Sequence, residues 1–196
     1  MDLTHRITRQ FEDSARNCQN SASVLLDPIA RGIDLMFEAL SNDHKILACG
    51  NGGSAADSQH FAAELIGRFE RERLPLAAIA LSTDTSIMTA IANDYSFEQI
   101  FAKQVEGLGR ASDVLFAIST SGNSKNVVAA IEAAFARDMQ VVALTGKGGG
   151  AIGELLRDGD VHICVPHDRT ARIQEIHLLV LHCLCDGIDW HLLGDD

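Results

Sequence analysis

The chain has 196 residues, of which 46% are hydrophobic and 22% are charged, a balance typical of one globular domain with a buried core. Sixteen basic against 27 acidic residues give a formal net charge of −11, which argues against a nucleic-acid partner. No apolar run approaches the ~18 residues of a membrane span, and the first residues lack the form of a signal peptide. The five cysteines form no CxxC pair, so we expect reduced thiols in a cytoplasmic protein without a membrane partner.

Two amphipathic helices are predicted before the first strand. Residues 3–26 carry one apolar stripe at helical spacing, and residues 29–40 carry a second. Between them, Asp27 and Pro28 have the form of an N-cap followed by proline at the first helical position. Because the two helices carry more apolar surface than one sheet needs, we expect residues 1–44 to pack against another copy of the chain.

Short apolar runs then alternate with helical patterns along the rest of the chain. This alternation is typical of βαβ units, and each run is expected to be a strand that is buried on both faces. The runs cover residues 46–49, 77–81, 114–118, 141–144 and 161–165. We therefore predict an α/β fold, a three-layer αβα sandwich with a five-stranded parallel sheet, closed by one long helix from Ala171 to about Leu193. Residues 1–196 are treated as one domain, with 45–196 as its α/β core.

A turn rich in hydroxyls follows the third apolar run, and we expect it to bind a phosphate. Four hydroxyls surround Gly122 just before a helical pattern begins: Ser119, Thr120, Ser121 and Ser124. A helix N-terminus offers free backbone N–H groups and the positive end of its dipole, and glycine lets the backbone approach closely. The alternative is an ordinary helix cap, for which one hydroxyl would suffice. Four hydroxyls are more than a cap needs, so we favour the phosphate.

Two other strand ends carry glycine-rich turns, and ligands of parallel sheets bind beyond such ends. The first turn contains Gly50, Asn51, Gly52, Gly53 and Ser54. It matches neither the dinucleotide fingerprint nor the Walker A motif, so we interpret it as a tight turn that presents backbone N–H groups to a ligand. The second turn, residues 145–150, fits a flexible connection as well as a ligand contact. Asn93 and Asp94 are either a helix end or a contact to sugar hydroxyls.

An imidazole and a carboxylate follow the first glycine turn. His60 and Glu64 are four residues apart and share one face of a helix, so they can bind a metal or move protons. A surface ion pair is the ordinary alternative, and two ligands are too few for zinc. The last helix offers further polar groups: Gln174, Glu175, His177 and His182. Helical periodicity alone does not choose among them.

Together these segments resemble the sugar isomerase (SIS) family, and within it the branch that isomerises heptose phosphates. The resemblance covers essentially the whole chain. It rests on CGNGGSAADSQHFAAEL at 49–65, AIANDYS at 90–96, AISTSGNS at 117–124, VALTGKGGG at 142–150 and RIQEIHLLVLHCLCD at 172–186. The phosphate turn marks the family broadly, whereas His60 and Glu64 combined with Gln174 and His182 are more specific.

The resemblance implies a homotetramer with active sites between subunits. Its reaction would interconvert sedoheptulose 7-phosphate and D-glycero-D-manno-heptose 7-phosphate, for the heptose of bacterial lipopolysaccharide core or related polysaccharides. The hydroxyls of the phosphate turn would hold the phosphate. The other substrate contacts would be Asn51, Gly52, Gly53, Ser54, Glu64, Asn93, Asp94 and Gln174. The zinc ligands would be His60, Glu64, Gln174 and His182.

By the same resemblance, Glu64 is the base at carbon and His182 is the acid that serves the oxygens, through an enediol(ate). Zinc would polarise the carbonyl as a Lewis acid. A zinc-bound carboxylate is a weaker base, so either Glu64 alternates between two roles or the zinc is partly structural.

Two other functions occur among similar proteins. One branch of the family binds the chromosome-replication initiator, and it shares the RIQE and CLCD segments with this chain. That branch lacks the acid at the position of Glu64 and the imidazole at that of His182; this chain has both, which favours the enzyme. A phosphosugar-sensing module without catalysis is disfavoured by the acidic charge and the lack of an attached DNA-binding domain.

Overall fold

The computed structural model of this chain describes residues 2–195, which form one parallel sheet between two layers of helices. The strands are β1 (Ile46–Cys49), β2 (Ala78–Ala80), β3 (Val114–Ser119), β4 (Gln140–Gly146) and β5 (Val161–Val165). The helices are α1 (Leu3–Ser41), α2 (Gly53–Ile66), α3 (Thr85–Asp94), α4 (Ala102–Leu108), α5 (Lys125–Ala136), α6 (Gly150–Leu155) and α7 (Thr170–Leu193). Short 3₁₀ turns cover Phe97–Gln99 and Lys147–Gly149. The predicted α/β sandwich with a five-stranded parallel sheet is confirmed.

Helices cover both faces of the sheet, which explains the apolar runs. Along β1, Ile46 and Ala48 pack with α1, α2 and α7, whereas Leu47 and Cys49 pack with α4 and α5 on the opposite face. The inner strands β1 and β3 are buried at every position, as predicted. The prediction of full burial is wrong for the edge strands, which lie where the helical layers end. Ile79 in β2 is 39% exposed, and β5 alternates buried with half-buried residues.

The two predicted N-terminal segments are joined into the single helix α1, and this corrects the predicted break at Asp27 and Pro28. The helix continues through Pro28. Proline removes one backbone hydrogen bond, but the buried stripe continues on both sides of it and packs against α7 and β5. The residues of this stripe are Asn17, Ser21, Leu25, Gly32, Met36 and Ala39. Packing along the whole helix therefore outweighs the local signal for a break.

The strand order β2-β1-β3-β4-β5 creates a crevice at the carboxyl ends of β1 and β3. From β1 the chain crosses to β2 on one side, and it later returns to the other side of β1 as β3. The connections that leave these two strands therefore diverge, and parallel sheets bind ligands at such a switch point. The turns after β1 and β3 are two of those from which the sequence predicts ligand binding.

Within residues 2–195, α7 is the one helix long and apolar enough, by length and composition, to cross a membrane. Its apolar residues have another explanation, because the helix packs against α1, α2 and β4. It buries Ile176, Leu181, Cys185 and Ile188 in the core on that side of the sheet. All five cysteines are free thiols, in agreement with the sequence prediction.

Candidate active site

The hydroxyl-rich turn lies between β3 and α5 at the switch point. Ser124 occupies the N-cap position of α5, but its side chain makes no capping hydrogen bond to the helix. Its hydroxyl instead lies 2.9 Å from the hydroxyl of Ser119 at the end of β3. The side chain therefore does not serve as an ordinary cap, which leaves the backbone N–H groups of Lys125 and Asn126 at the start of α5 available to a ligand.

Residues 146–150 form the wall behind this turn. Gly122 has φ +66°, and a Cβ built on it would collide with the carbonyl oxygen of Gly149. The side chain of Asn123 accepts a hydrogen bond from the backbone N–H of Ala151 (3.0 Å), and the Gly122 carbonyl accepts one from Ile152 (2.9 Å). The glycine-rich connection after β4 thus packs against the phosphate turn, and a direct contact to the ligand stays a prediction.

The first glycine turn is tied to α5 by a pair of amides that the sequence analysis missed. Asn51 and Asn126 exchange two side-chain hydrogen bonds of 2.8 Å each, and Asn126 is 3% exposed. Asn126 lies in the first turn of α5. In the sequence, the only sign of its role is a polar residue of modest helix propensity at the start of a helix. Nearby, Gly52 has φ +55° and Ser54 is buried. The pair thus links the turns after β1 and β3.

The helices α2 and α7 bring three of the four predicted zinc ligands together. The Nε2 of His60 lies 2.8 Å from Oε1 of Glu64, as expected for one helix face. The ring of His182 meets the His60 ring edge-on, with centroids 5.2 Å apart. Gln174 lies elsewhere: its side-chain amide packs directly against Gly53. Gly53 is seven residues before His60, or roughly 10 Å along the helix axis.

The donor set suits zinc in kind, since imidazole nitrogens and carboxylate or amide oxygens are ligands that zinc accepts in proteins. Among residues 2–195, no three His, Cys, Asp or Glu side chains surround a common metal position. His60 and Glu64 bond to each other with atoms that a metal would engage. A metal would therefore have to replace that hydrogen bond, and the ligand assignment stays a prediction.

Asn93 and Asp94 are at the end of α3, which accords with the helix-end interpretation. The Asn93 amide donates to the Asp94 carboxylate at 2.8 Å, and both residues are exposed. No residue of α3 is buried. The following 3₁₀ turn reaches the start of α5 through an ion pair between Glu98 and Lys125 at 3.0 Å. Contact with a sugar stays a prediction for both residues.

Two further ionisable groups near the site have shifted pKa values. Burial raises the pKa of Asp57 to about 6, and the nearby charge of His60 opposes the shift. Asp57 falls on the same face of α2 as His60 and Glu64, and its buried Oδ2 has no hydrogen-bond partner among the described residues. Burial lowers the pKa of His177 to about 4, although its bond to the Thr145 carbonyl (3.0 Å) acts in the opposite direction.

Comparison with known proteins defines the class first. The sequence model of the SIS domain matches residues 10–146, more than half of the chain. The parallel sheet, its switch-point crevice and the hydroxyl-rich turn are thus those of a SIS-domain protein.

Individual relatives identify the branch of SIS-domain proteins to which the chain belongs. The chain is 68% identical over 194 residues to the phosphoheptose isomerase of Dechloromonas aromatica, which covers 99% of each chain. It is 64% identical over 195 residues to that of Bordetella avium, covering 100% of this chain and 99% of the relative. The solved structure of the Neisseria gonorrhoeae phosphoheptose isomerase superposes with a TM-score of 0.92 at 55% identity, covering 96% and 99%. The chain therefore belongs to the phosphoheptose isomerase family, which makes it an isomerase of sugar phosphates with a role in heptose biosynthesis.

Proposed function

We propose that this chain is the cytoplasmic aldose–ketose isomerase that converts sedoheptulose 7-phosphate to D-glycero-D-manno-heptose 7-phosphate. One observation carries the proposal: the hydroxyl-rich turn that would hold the phosphate is tied through Asn126 and Asn51 to the turn that begins α2, and a His–Glu pair lies roughly 10 Å farther along α2. Six C–C bonds of about 1.5 Å each, extended, span roughly 8 Å. A seven-carbon sugar phosphate held at these two linked turns is therefore long enough to bring its carbonyl end to His60 and Glu64.

The proton transfers follow from that orientation. Glu64 removes a proton from C1 of the ketose and returns it to C2, through an enediol(ate). His182 donates a proton to the oxygen on C2 and accepts one from the hydroxyl on C1, so no proton is gained or lost overall. The side chain of Glu64 is mostly shielded from water, and positioned acids and bases of this kind contribute about 10² to 10⁴-fold each.

The phosphate and the sugar hydroxyls are assigned to the turns that surround the crevice. The backbone N–H groups of α5 and the hydroxyls of Ser119, Thr120, Ser121 and Ser124 hold the phosphate. Sugar contacts come from Asn51, Gly52, Gly53, Ser54, Asn93, Asp94 and Gln174. The amide pair between Asn51 and Asn126 supports this assignment, because it fixes the two central turns relative to each other.

The proposal includes one zinc ion per subunit, held by His60, Glu64, Gln174 and His182, for which the side chain of Gln174 would have to leave its contact with Gly53. When bound, zinc would supply Lewis-acid polarisation of the substrate carbonyl. The edge contact between the two imidazoles and the approach of Glu64 to His60 support a shared ion. Metal analysis of protein purified without chelators is expected to find about one zinc per subunit, with a clear loss in His182→Ala. A zinc content unchanged by that substitution would contradict the ligand set.

The test of function is turnover of sedoheptulose 7-phosphate followed by NMR, with native protein beside Glu64→Gln. Conversion by the native protein that falls by about 10²-fold or more in the variant would support the isomerase and its base. Folded, zinc-loaded native protein that converts no substrate would exclude the proposal. A pull-down with the replication initiator would then test the alternative function.

A further inference from the structure

Glu64, the proposed base, lies in the last turn of α2, where backbone carbonyls lack partners within the helix. The guanidinium of Arg73 compensates for this. It donates to the carbonyl of Glu64 itself at 2.7 Å and to that of Leu65 at 2.8 Å. The carbonyl of Gly67, just past the helix end, receives a longer bond of 3.4 Å. One side chain therefore caps the end of the helix that carries the base.

The same guanidinium reaches α7. Its Nε donates to Oδ1 of Asp189 at 2.6 Å, and both side chains are 3% exposed. Asp189 is seven residues, about two helical turns, after His182 on α7. A buried ion pair connects the last turn of α2 to the helix that carries the proposed acid. At its other end, α2 meets the same helix where Gly53 packs against Gln174.

The buried ion pair between Arg73 and Asp189 is better suited to positioning the two helices than to stabilising the fold. A buried ion pair often adds little net stability over an apolar replacement, because both charges lose their hydration. The planar guanidinium, however, donates in fixed directions, and that constrains both the distance and the rotation of the groups it binds. Catalytic groups on separate elements must be held to within about 0.5 Å, and a misplacement of 1 Å can cost about 10²-fold in rate.

We propose that Arg73 and Asp189 form an interhelical clamp that positions Glu64 against His182 for proton transfer. The clamp contacts neither the substrate nor a metal ion; it acts through the backbone of Glu64. The inference rests on the proposed roles of Glu64 and His182. The phosphate turn belongs to other elements, so the clamp affects the chemical step and leaves phosphate binding alone.

The test compares Arg73→Lys with Arg137→Lys. Lysine keeps the positive charge and loses the guanidinium geometry. Arg137 is a matched control, because its guanidinium also binds the carbonyl at a helix end, that of Gly109 after α4, at 3.0 and 2.8 Å. For Arg73→Lys we expect kcat to fall about 10- to 100-fold, with KM and inhibition by inorganic phosphate within about twofold of native. Arg137→Lys is expected to keep native kcat.

Asp189→Asn provides a second variant with nearly the same shape, and its expected kinetic pattern is the same. Thermal melting confirms that each protein is folded before it is assayed. Hydrogen exchange of the amides at residues 60–67 gives a readout that does not depend on turnover, and it should rise in Arg73→Lys and stay native in Arg137→Lys. Unchanged exchange would overturn the clamp even if the native protein proved inactive. Increased exchange with native kcat, or with a parallel rise in KM, would overturn the positioning role.

Discussion

Gly122 determines the shape of the phosphate turn. Its positive φ disfavours any residue with a Cβ, and the Gly149 carbonyl occupies the space that a Cβ would need. For Gly122→Ala we expect the turn to move away from its wall, with a loss of stability of about 1–3 kcal/mol and a rise in KM of at least about tenfold. Steady-state kinetics and denaturant unfolding measure both.

Gly107→Ala is the control for this substitution. Gly107 lies in α4 with no atom within 4 Å of a built Cβ, so alanine should be neutral or stabilising by about 0.5–1 kcal/mol. A Gly122→Ala protein with native KM would contradict the role assigned to the turn.

His177 gives the stability of the protein a pH dependence. Its pKa of about 4 in the folded protein lies below the ~6.5 of an unfolded chain. Above pH ~6.5 the ring is neutral in both states; as the pH falls toward 4, only the unfolded chain takes up the proton, so stability is lost across that window. The completely buried ring would account for roughly 3 kcal/mol.

Denaturant unfolding at a series of pH values from 7 to 4.5 measures this loss. His177→Gln should flatten the profile, whereas His5→Gln, at an exposed position of α1, should keep the native one. An unchanged profile in His177→Gln would assign the acid sensitivity to other groups.

For single residues, the sequence predicted which kinds of side chain form the site more reliably than it predicted the direction in which each side chain points. Periodicity groups Glu175 with His182 on α7, yet Glu175 accepts a hydrogen bond from Ser14 of α1 at 2.7 Å. Gln174 is the neighbour that faces α2. Both α1 and α2 pack against α7, so two of its faces carry polar residues with partners, and spacing alone cannot tell which face belongs to the site.

Among the elements, the strands were predictable and the first helix was not. Strands covered on both faces must be apolar, so their runs are visible in the sequence. In α1 the buried stripe contains Asn17, Ser21 and Gly32, which carry no hydrophobic signal. The apolar residues of its first half, such as Leu3 and Phe11, face outward instead. A proline that follows a misleading first stripe therefore predicts a break that the packing does not produce.

The uninterrupted α1 leads to a prediction about Pro28. A proline inside a helix costs about 3 kcal/mol relative to alanine, and part of this is returned because proline restricts the unfolded chain by up to about 1 kcal/mol. Pro28→Ala should therefore raise the stability by about 1–2 kcal/mol and the melting temperature by several degrees at fixed protein concentration. A lower melting temperature would mean that Pro28 itself stabilises α1 or its packing.

At the scale of the whole molecule, some apolar side chains remain exposed to solvent in a single chain. Leu3 and Phe11 on α1 are 71% and 74% exposed, and α3 has no fully buried residue. A second copy of the chain packed against these surfaces would bury them, and on α3 it would lie next to Asn93 and Asp94, the predicted sugar contacts. These exposed surfaces are what supports our proposal that the chain forms the homotetramer, with active sites between subunits, that the family resemblance implies.

Phe11→Asp tests that assembly, since a charge in an apolar interface costs several kcal/mol unless it is paired. We expect light scattering to show a tetramer for the native protein and smaller species for the variant, with turnover of sedoheptulose 7-phosphate falling in parallel. Leu108→Asp, at an exposed position at the end of α4, is the control and should keep the native mass. If Phe11→Asp dissociates and retains native turnover, each chain contains a complete active site and the assembly has a different role.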